Sequence, residues 1–133
     1  MILGTGSDIV DMRRIEKTLA RFGTRFTSRC FDPLEIAKAE SRRGGGTHIA
    51  TYARRFAAKE AASKALGTGF THGVAMRDIV VTNDKTGKPS LQLKNGALQR
   101  LQDITPSGKT AAIHVSLTDE PPLAQAYVII EII

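Results

Sequence analysis

Alanine recurs at positions 53, 57, 61 and 65 and again at 58 and 62, in the stretch ARRFAAKEAASKA. Residues four apart stack on one side of an α-helix. These rows carry only methyl groups, so neighbouring backbone can approach the helix axis closely. A helix built this way belongs at the centre of a fold. The pattern predicts it from about Thr47 to Leu66, between the break at Gly44-Gly45-Gly46 and the stop at Gly67-Thr68-Gly69. Its few charges include Glu60 and Lys64, one turn apart. As a surface ion pair they would add only about 0.2–0.5 kcal/mol to the helix.

The rest of the chain is arranged around that helix. ILGTGSDIV reads as a strand ending at Asp8 or just after it. Asp11 then caps a helix through DMRRIEKTLARFG, which Gly23 stops. Ile15, Leu19 and Phe22 give that helix an apolar face; Arg13, Arg14, Lys17 and Arg21 make the other face basic. Asp32-Pro33, a cap followed by proline at the first helical position, starts a second helix toward Arg43. DIVVTN, the turn NDKTGKP and SLQL form a hairpin; Asn95 to about Ile104 is helical; Thr110–Leu117 and Ala124–Ile133 are two further strands. The predicted class is α+β, one domain over 1–133, with a largely antiparallel sheet packed against one long central helix.

With 133 residues, 41% of them hydrophobic, the chain can bury a core without disulfide or metal staples. Cys30 is the only cysteine, so no intrachain disulfide forms, which fits a reducing cytoplasm. No apolar run approaches the roughly 20 residues that span a bilayer, and MILGTGSDIV lacks the basic start of a signal peptide, so a cytoplasmic location without membrane association is expected. Nineteen Lys and Arg against 13 Asp and Glu give a formal charge of +6, which favours an anionic partner: nucleic acid, phosphorylated metabolite or acidic protein.

Two nucleotide motifs fail on inspection. DITPSGKT ends like a phosphate-binding loop but has Asp103 where the first glycine belongs, and GTGSDI has Ile9 in place of the third glycine of a dinucleotide fingerprint. The polar residues left at element boundaries are Asp8, Glu60, Lys64 and His114. A strand carboxylate beside one on the central helix suits Mg²⁺, which takes one or two protein carboxylates and leaves its other positions to water and phosphate oxygens. Lys64, one turn from Glu60, adds a point charge for phosphate on the same face. His114 alternates with Ile113 and Val115, the pattern of a packed, hydrogen-bonded histidine.

GTGSDIVDMRRIE at 4–16, RFAAKEAASKALGTG at 55–69, GKP at 87–89 and HVSLTD at 114–119 together resemble the holo-acyl-carrier-protein synthases, the short single-domain 4′-phosphopantetheinyl transferases. Their order and spacing cover nearly the whole chain. The resemblance implies the 4′-phosphopantetheinyl transferase fold and a Mg²⁺-dependent transfer of 4′-phosphopantetheine from coenzyme A to a serine of apo acyl carrier protein. Adenosine 3′,5′-bisphosphate would be released, in support of fatty acid biosynthesis. It implies Asp8 and Glu60 as metal ligands, Lys64 as a catalytic phosphate-binding lysine, and Arg55, Lys88, Pro89 and His114 as coenzyme A contacts. It also implies Arg14 and Arg21 as the sites that meet an acidic carrier, with Arg13 and Arg25 able to join them, and a homotrimer whose active sites lie between subunits. Either a metal-bound water or Glu60 would take the serine proton. Asp119 departs from the pattern, standing where many members carry a second histidine.

Two rival readings remain at this stage. A small basic nucleic-acid-binding module would satisfy the charge, but aromatic residues make up only 5% and no tryptophan is present, so there is little to stack on bases. A non-catalytic trimeric scaffold on the same fold is the other, and it differs in whether Asp8 and Glu60 bind metal.

Overall fold

The computed structural model describes residues 1–133. Strand β1 (Ile2–Asp11) runs into helix α1 (Met12–Phe22), then α2 (Thr24–Cys30), α3 (Pro33–Glu40) and the long α4 (His48–Ala65). The hairpin β2 (Ile79–Asn83) and β3 (Pro89–Leu93) leads to α5 (Asn95–Ile104), β4 (Ala111–Glu120) and β5 (Leu123–Ile132). All pairing is antiparallel, as expected, but it is divided between two sheets: β1-β5-β4 and the hairpin β2-β3. No helix is long and apolar enough to cross a membrane.

The expected central helix is α4. Ala53, Ala57, Ala58, Ala61, Ala62 and Ala65 are all buried on it. The glycines of GTGSD explain why alanine is needed: a Cβ on Gly6 would collide with the Ala61 carbonyl oxygen, and one on Gly4 with that of Ala65. β1 therefore lies backbone to backbone on α4. Cross-strand partners share a face of the sheet, so Gly4, Gly6 and Asp8 face α4 together with Ile130, Val128 and Ala126 of β5. Asp8 is consequently within a ten-residue strand, not at its end, and its side chain is on the helix side.

Local chemistry sets the helix boundaries. Asp11 caps α1 by accepting from the Arg13 amide. Asp32 and Glu35 form a reciprocal capping box at the start of α3, whose first residue is Pro33. α3 ends at Glu40, short of Arg43, and a 3₁₀ turn, Arg43–Gly45, connects onward. Helix α2 has no counterpart in the sequence reading: it is seven residues long and has a glycine N-cap with no side-chain bond. Phe22 also departs from expectation, since it is exposed between Arg21 and Arg25 and not packed inward.

Glu35 and Lys59, both fully buried, lock α3, α4 and β2 together. Lys59 Nζ donates to Glu35 Oε1 at 2.6 Å, to the Met76 carbonyl at 3.2 Å and to the Ile79 carbonyl. Glu35 Oε1 also takes the Asp32 amide, and Oε2 takes the Val81 amide at 3.0 Å. All three ammonium protons have acceptors, which is the condition under which a buried charge pair is tolerated.

Candidate active site

Lys64 does not pair with Glu60, although the i,i+4 spacing allows it. Its ammonium reaches across to β1, donating to the Ser7 carbonyl at 2.9 Å and to Asp8 Oδ1 at 3.3 Å. Asp8, Glu60 and Lys64 thus form one group where β1 crosses α4. Burial, and next the Asp8 carboxylate, push the Glu60 pKa upward, against the pull of Lys64 and Arg14. Of the two carboxylates Lys64 serves Asp8 alone, and the Glu60 carboxylate has neither a hydrogen-bond nor an ion-pair partner. A divalent cation fits that need, and Mg²⁺ in particular needs no more than two protein carboxylates.

Arg14 completes the rim of this group, since its charge is felt at Glu60. It lies on the exposed basic face of α1, which continues through Arg21 to Arg25 at the start of α2. The guanidinium carbons of Arg21 and Arg25 stand 5.1 and 5.7 Å from the Phe22 ring centroid. Arg13, by contrast, is occupied: it donates to both Asp11 oxygens, at 2.9 Å from Nε and 2.7 Å from Nη2. That bond holds the Asp11 carboxyl at about 2.

The remaining anticipated residues gather elsewhere. Lys88, Pro89 and His114 line one cleft of about 350 Å³, with Asp84, Ser90, Ile113 and Val115 as its other walls. Asp84 Oδ1 accepts from the Thr86 amide, the Thr86 hydroxyl and the Lys88 amide, fixing the turn that presents Lys88. His114 is exposed, with Nε2 at 2.8 Å from Glu131 Oε1, so it is hydrogen-bonded but not packed. Arg55 is buried on α4 and donates from Nη2 to Asn83 Oδ1 at 2.9 Å, which attaches it to the same hairpin. Its Nε has no partner.

Two more arginines share the surroundings of Arg55. Burial lowers its pKa, and the charges of Arg42 and Arg54 act in the same direction against the pull of Glu35. Arg42 donates to Thr51 Oγ1 at 2.9 Å, and Arg54 pairs with Asp119 at 3.1 Å. Asp119, the residue that departs from the family pattern, is thereby an ion-pair partner. A crowd of guanidinium groups with an unpartnered N–H suits a phosphate, which accepts many such donors. No motif in the sequence marks Arg42 or Arg54. A separate concavity of about 360 Å³ lies between α1, α2, α3 and the start of α4 and contains none of the anticipated residues.

The two groups do not meet within one chain. In the β1-β5-β4 sheet, Asp8 pairs across Ala126 to Leu117, while Thr5 pairs across Ile129 to His114. The first row faces α4; the second faces out, where Thr5 and His114 are both exposed. Asp8 and His114 are on opposite faces of the sheet. That register could not be derived from either strand alone.

The family model described as the 4′-phosphopantetheinyl transferase superfamily matches residues 4–125. A holo-[acyl-carrier-protein] synthase of Rhizobium meliloti strain 1021 is 57% identical over 131 residues, covering 98% of this chain and 92% of that protein. The crystal structure of the holo-[acyl-carrier-protein] synthase of Neisseria meningitidis superimposes with a TM-score of 0.83 at 34% identity, covering 98% of this chain and 99% of that one. The Bacillus anthracis synthase, solved in complex with CoA (3′,5′-ADP), gives a TM-score of 0.78 at 35% identity, over 98% of this chain and 97% of that one.

Proposed function

The chain belongs to the 4′-phosphopantetheinyl transferase superfamily and is an enzyme of the holo-[acyl-carrier-protein] synthase type; from that premise we propose that Asp8, Glu60 and Lys64 carry its chemistry, with Mg²⁺ as cofactor and coenzyme A as donor. The observation that carries this reading is the geometry where β1 crosses α4: Lys64 turns from Glu60 to Asp8 and the Ser7 carbonyl, leaving the Glu60 carboxylate unpaired. A site so poised gains from a cation and from phosphate oxygens, and a surface ion pair would show neither feature.

The carrier serine attacks the β-phosphorus of coenzyme A. Its oxygen forms the new P–O bond as the bond to adenosine 3′,5′-bisphosphate breaks. Negative charge grows on the phosphoryl oxygens and on the leaving phosphate. Asp8 and Glu60 would hold Mg²⁺, which would supply Lewis-acid stabilisation of that charge. Lys64, anchored at the Ser7 carbonyl and Asp8, is a preorganised ammonium for the same oxygens. The serine must also lose a proton, and the Asp8–Glu60 pair offers a carboxylate that can take it or align a water that does.

Lys88, Pro89, His114 and Arg55 are assigned to the coenzyme A side. The cleft and the arginine cluster supply donors for its phosphates and a wall for its adenosine end. Asp8 and His114 lie on opposite sheet faces, so a homotrimer with sites between subunits would let each site take residues from two copies. The exposed sheet face carries Ile9, Leu123 and Tyr127, apolar groups that a second copy would cover. The basic face of Arg14, Arg21 and Arg25, of which Arg14 acts at the metal group, is assigned to an acidic acyl carrier protein, whose modification serves fatty acid biosynthesis.

The decisive assay incubates the protein with apo carrier, coenzyme A and Mg²⁺ and follows the carrier by mass spectrometry. The carrier gains the phosphopantetheine mass when Mg²⁺ is present and not when EDTA replaces it. A carrier that stays unmodified in both arms would refute the reading.

A further inference from the structure

Asn83, which the sequence did not single out, closes β2 and lies next to the arginine cluster. Its side-chain oxygen accepts from Arg55 Nη2 at 2.9 Å, and its side-chain nitrogen donates to the Gly87 carbonyl at 3.0 Å. An arginine only donates and a carbonyl only accepts, so this amide orientation is the one that satisfies both. A carboxylate of similar size lacks the donor, an aliphatic side chain lacks both functions, and a hydroxyl carries both on a single atom that cannot span the two partners. The amide therefore bridges α4 to the 84–87 turn, and that turn delivers Lys88 and Pro89 to the cleft shared with His114.

We propose that Asn83 is a positioning residue for coenzyme A, coupling the guanidinium of Arg55 to the turn that presents Lys88. This rests on the functional reading above and adds the residue that joins two of its assigned contacts. Arg55 needs such a tether. It is buried, its Nε has no partner, Asn83 is its one side-chain hydrogen-bond partner, and Arg42 and Arg54 oppose the pull of Glu35 on it. Freed of Asn83, the guanidinium has no neutral acceptor to hold its orientation while the phosphate site is empty. The turn, in the same event, loses its link to the helix. Both losses fall on coenzyme A affinity. The carrier-binding face of α1 and the Asp8–Glu60–Lys64 group share no hydrogen bond with Asn83.

The test measures coenzyme A binding by calorimetry with Mg²⁺ present, and KM for coenzyme A and for the carrier, in four proteins: wild type, Asn83→Ala, Arg55→Ala and the double variant. Asn83→Leu, which keeps the bulk and removes both hydrogen bonds, is run alongside so that the result does not hang on a collapsed turn. Both Asn83 variants are expected to weaken coenzyme A binding roughly tenfold, the scale of one lost hydrogen bond to a charged group. KM for the carrier stays unchanged. In the Arg55→Ala background the further loss from Asn83→Ala shrinks to about twofold, because the residue it positions is gone. Equal losses in both backgrounds, or equal rises in KM for both substrates, overturn the proposal. A wild-type protein that transfers phosphopantetheine while both Asn83 variants match it overturns this inference alone; a wild type that neither binds coenzyme A nor transfers overturns the functional reading with it.

Discussion

Lys59 and Glu60 are adjacent on one helix, yet their charges are treated in opposite ways. Lys59 points inward and has an acceptor for every ammonium proton, in Glu35 and the Met76 and Ile79 carbonyls. Glu60 points to the crossing with β1, where burial first, and then the neighbouring Asp8 carboxylate, push its pKa up. The inner charge is fully satisfied and holds three elements together. The outer one is left wanting a cation. A buried charge with all its partners is architecture, and one whose surroundings leave it uncompensated is where chemistry can be driven.

The largest effect should come from breaking the satisfied half. Lys59→Ala strands a buried Glu35 carboxylate, and losing one member of such a pair costs about 3–5 kcal/mol. Thermal unfolding followed by circular dichroism should show a large fall in Tm, or no cooperative transition. A Tm within a few degrees of wild type would erase the contrast.

Asp8→Ala and Glu60→Ala probe the other half and should separate function from fold. Transfer is lost in both, while Tm holds or rises. For Glu60 the sign follows from its raised pKa. The native state binds its proton more tightly than the unfolded chain does, so stability falls as pH rises from the unfolded to the folded pKa and stays lower above it. Metal-free Glu60→Gln at neutral pH should therefore melt slightly above wild type. A clear drop in Tm would place Glu60 with Lys59 on the structural side.

Lys64→Ala sharpens the contrast further, because this lysine bridges helix and strand and is also assigned to phosphate. Turnover should fall by a factor on the order of 10², the scale of one preorganised transition-state donor. Its exposed ion pair with Asp8 is worth little to stability, so Tm should barely move. Normal turnover with a lowered Tm would reverse the assignment.

The smallest effect belongs to the rim. Reversing Arg14 and Arg21 to glutamate should raise KM for the carrier several-fold and weaken its salt dependence, with KM for coenzyme A unchanged, because exposed charges act mainly on association and are screened. Steady-state kinetics at two ionic strengths read this directly. Equal changes for both substrates would count against a carrier-specific face.

Much of this was legible along the chain. The alanine rows placed α4 at the centre, Asp11 and Asp32-Pro33 marked helix starts through cap chemistry, and the turn residues located the hairpin. The features that escaped depend on residues far apart in sequence. Glu35 and Lys59 are 24 positions apart, so neither shows its partner locally. α2 lacks a side-chain cap to announce it. Strand pairing register, not strand identity, puts Asp8 and His114 on opposite faces, and register is set by three strands packing together. The glycines of GTGSD were visible, but their purpose became clear only with the Ala61 and Ala65 carbonyls against them.

Calorimetric titration of Mg²⁺ into the coenzyme A-bound protein tests the contrast between the two halves most directly, run on wild type, Asp8→Asn and Glu60→Gln. The wild type should bind the cation saturably, and both variants should show no binding heat while melting as cooperatively as wild type. Unchanged Mg²⁺ affinity in either variant would contradict the assignment of that carboxylate to the metal.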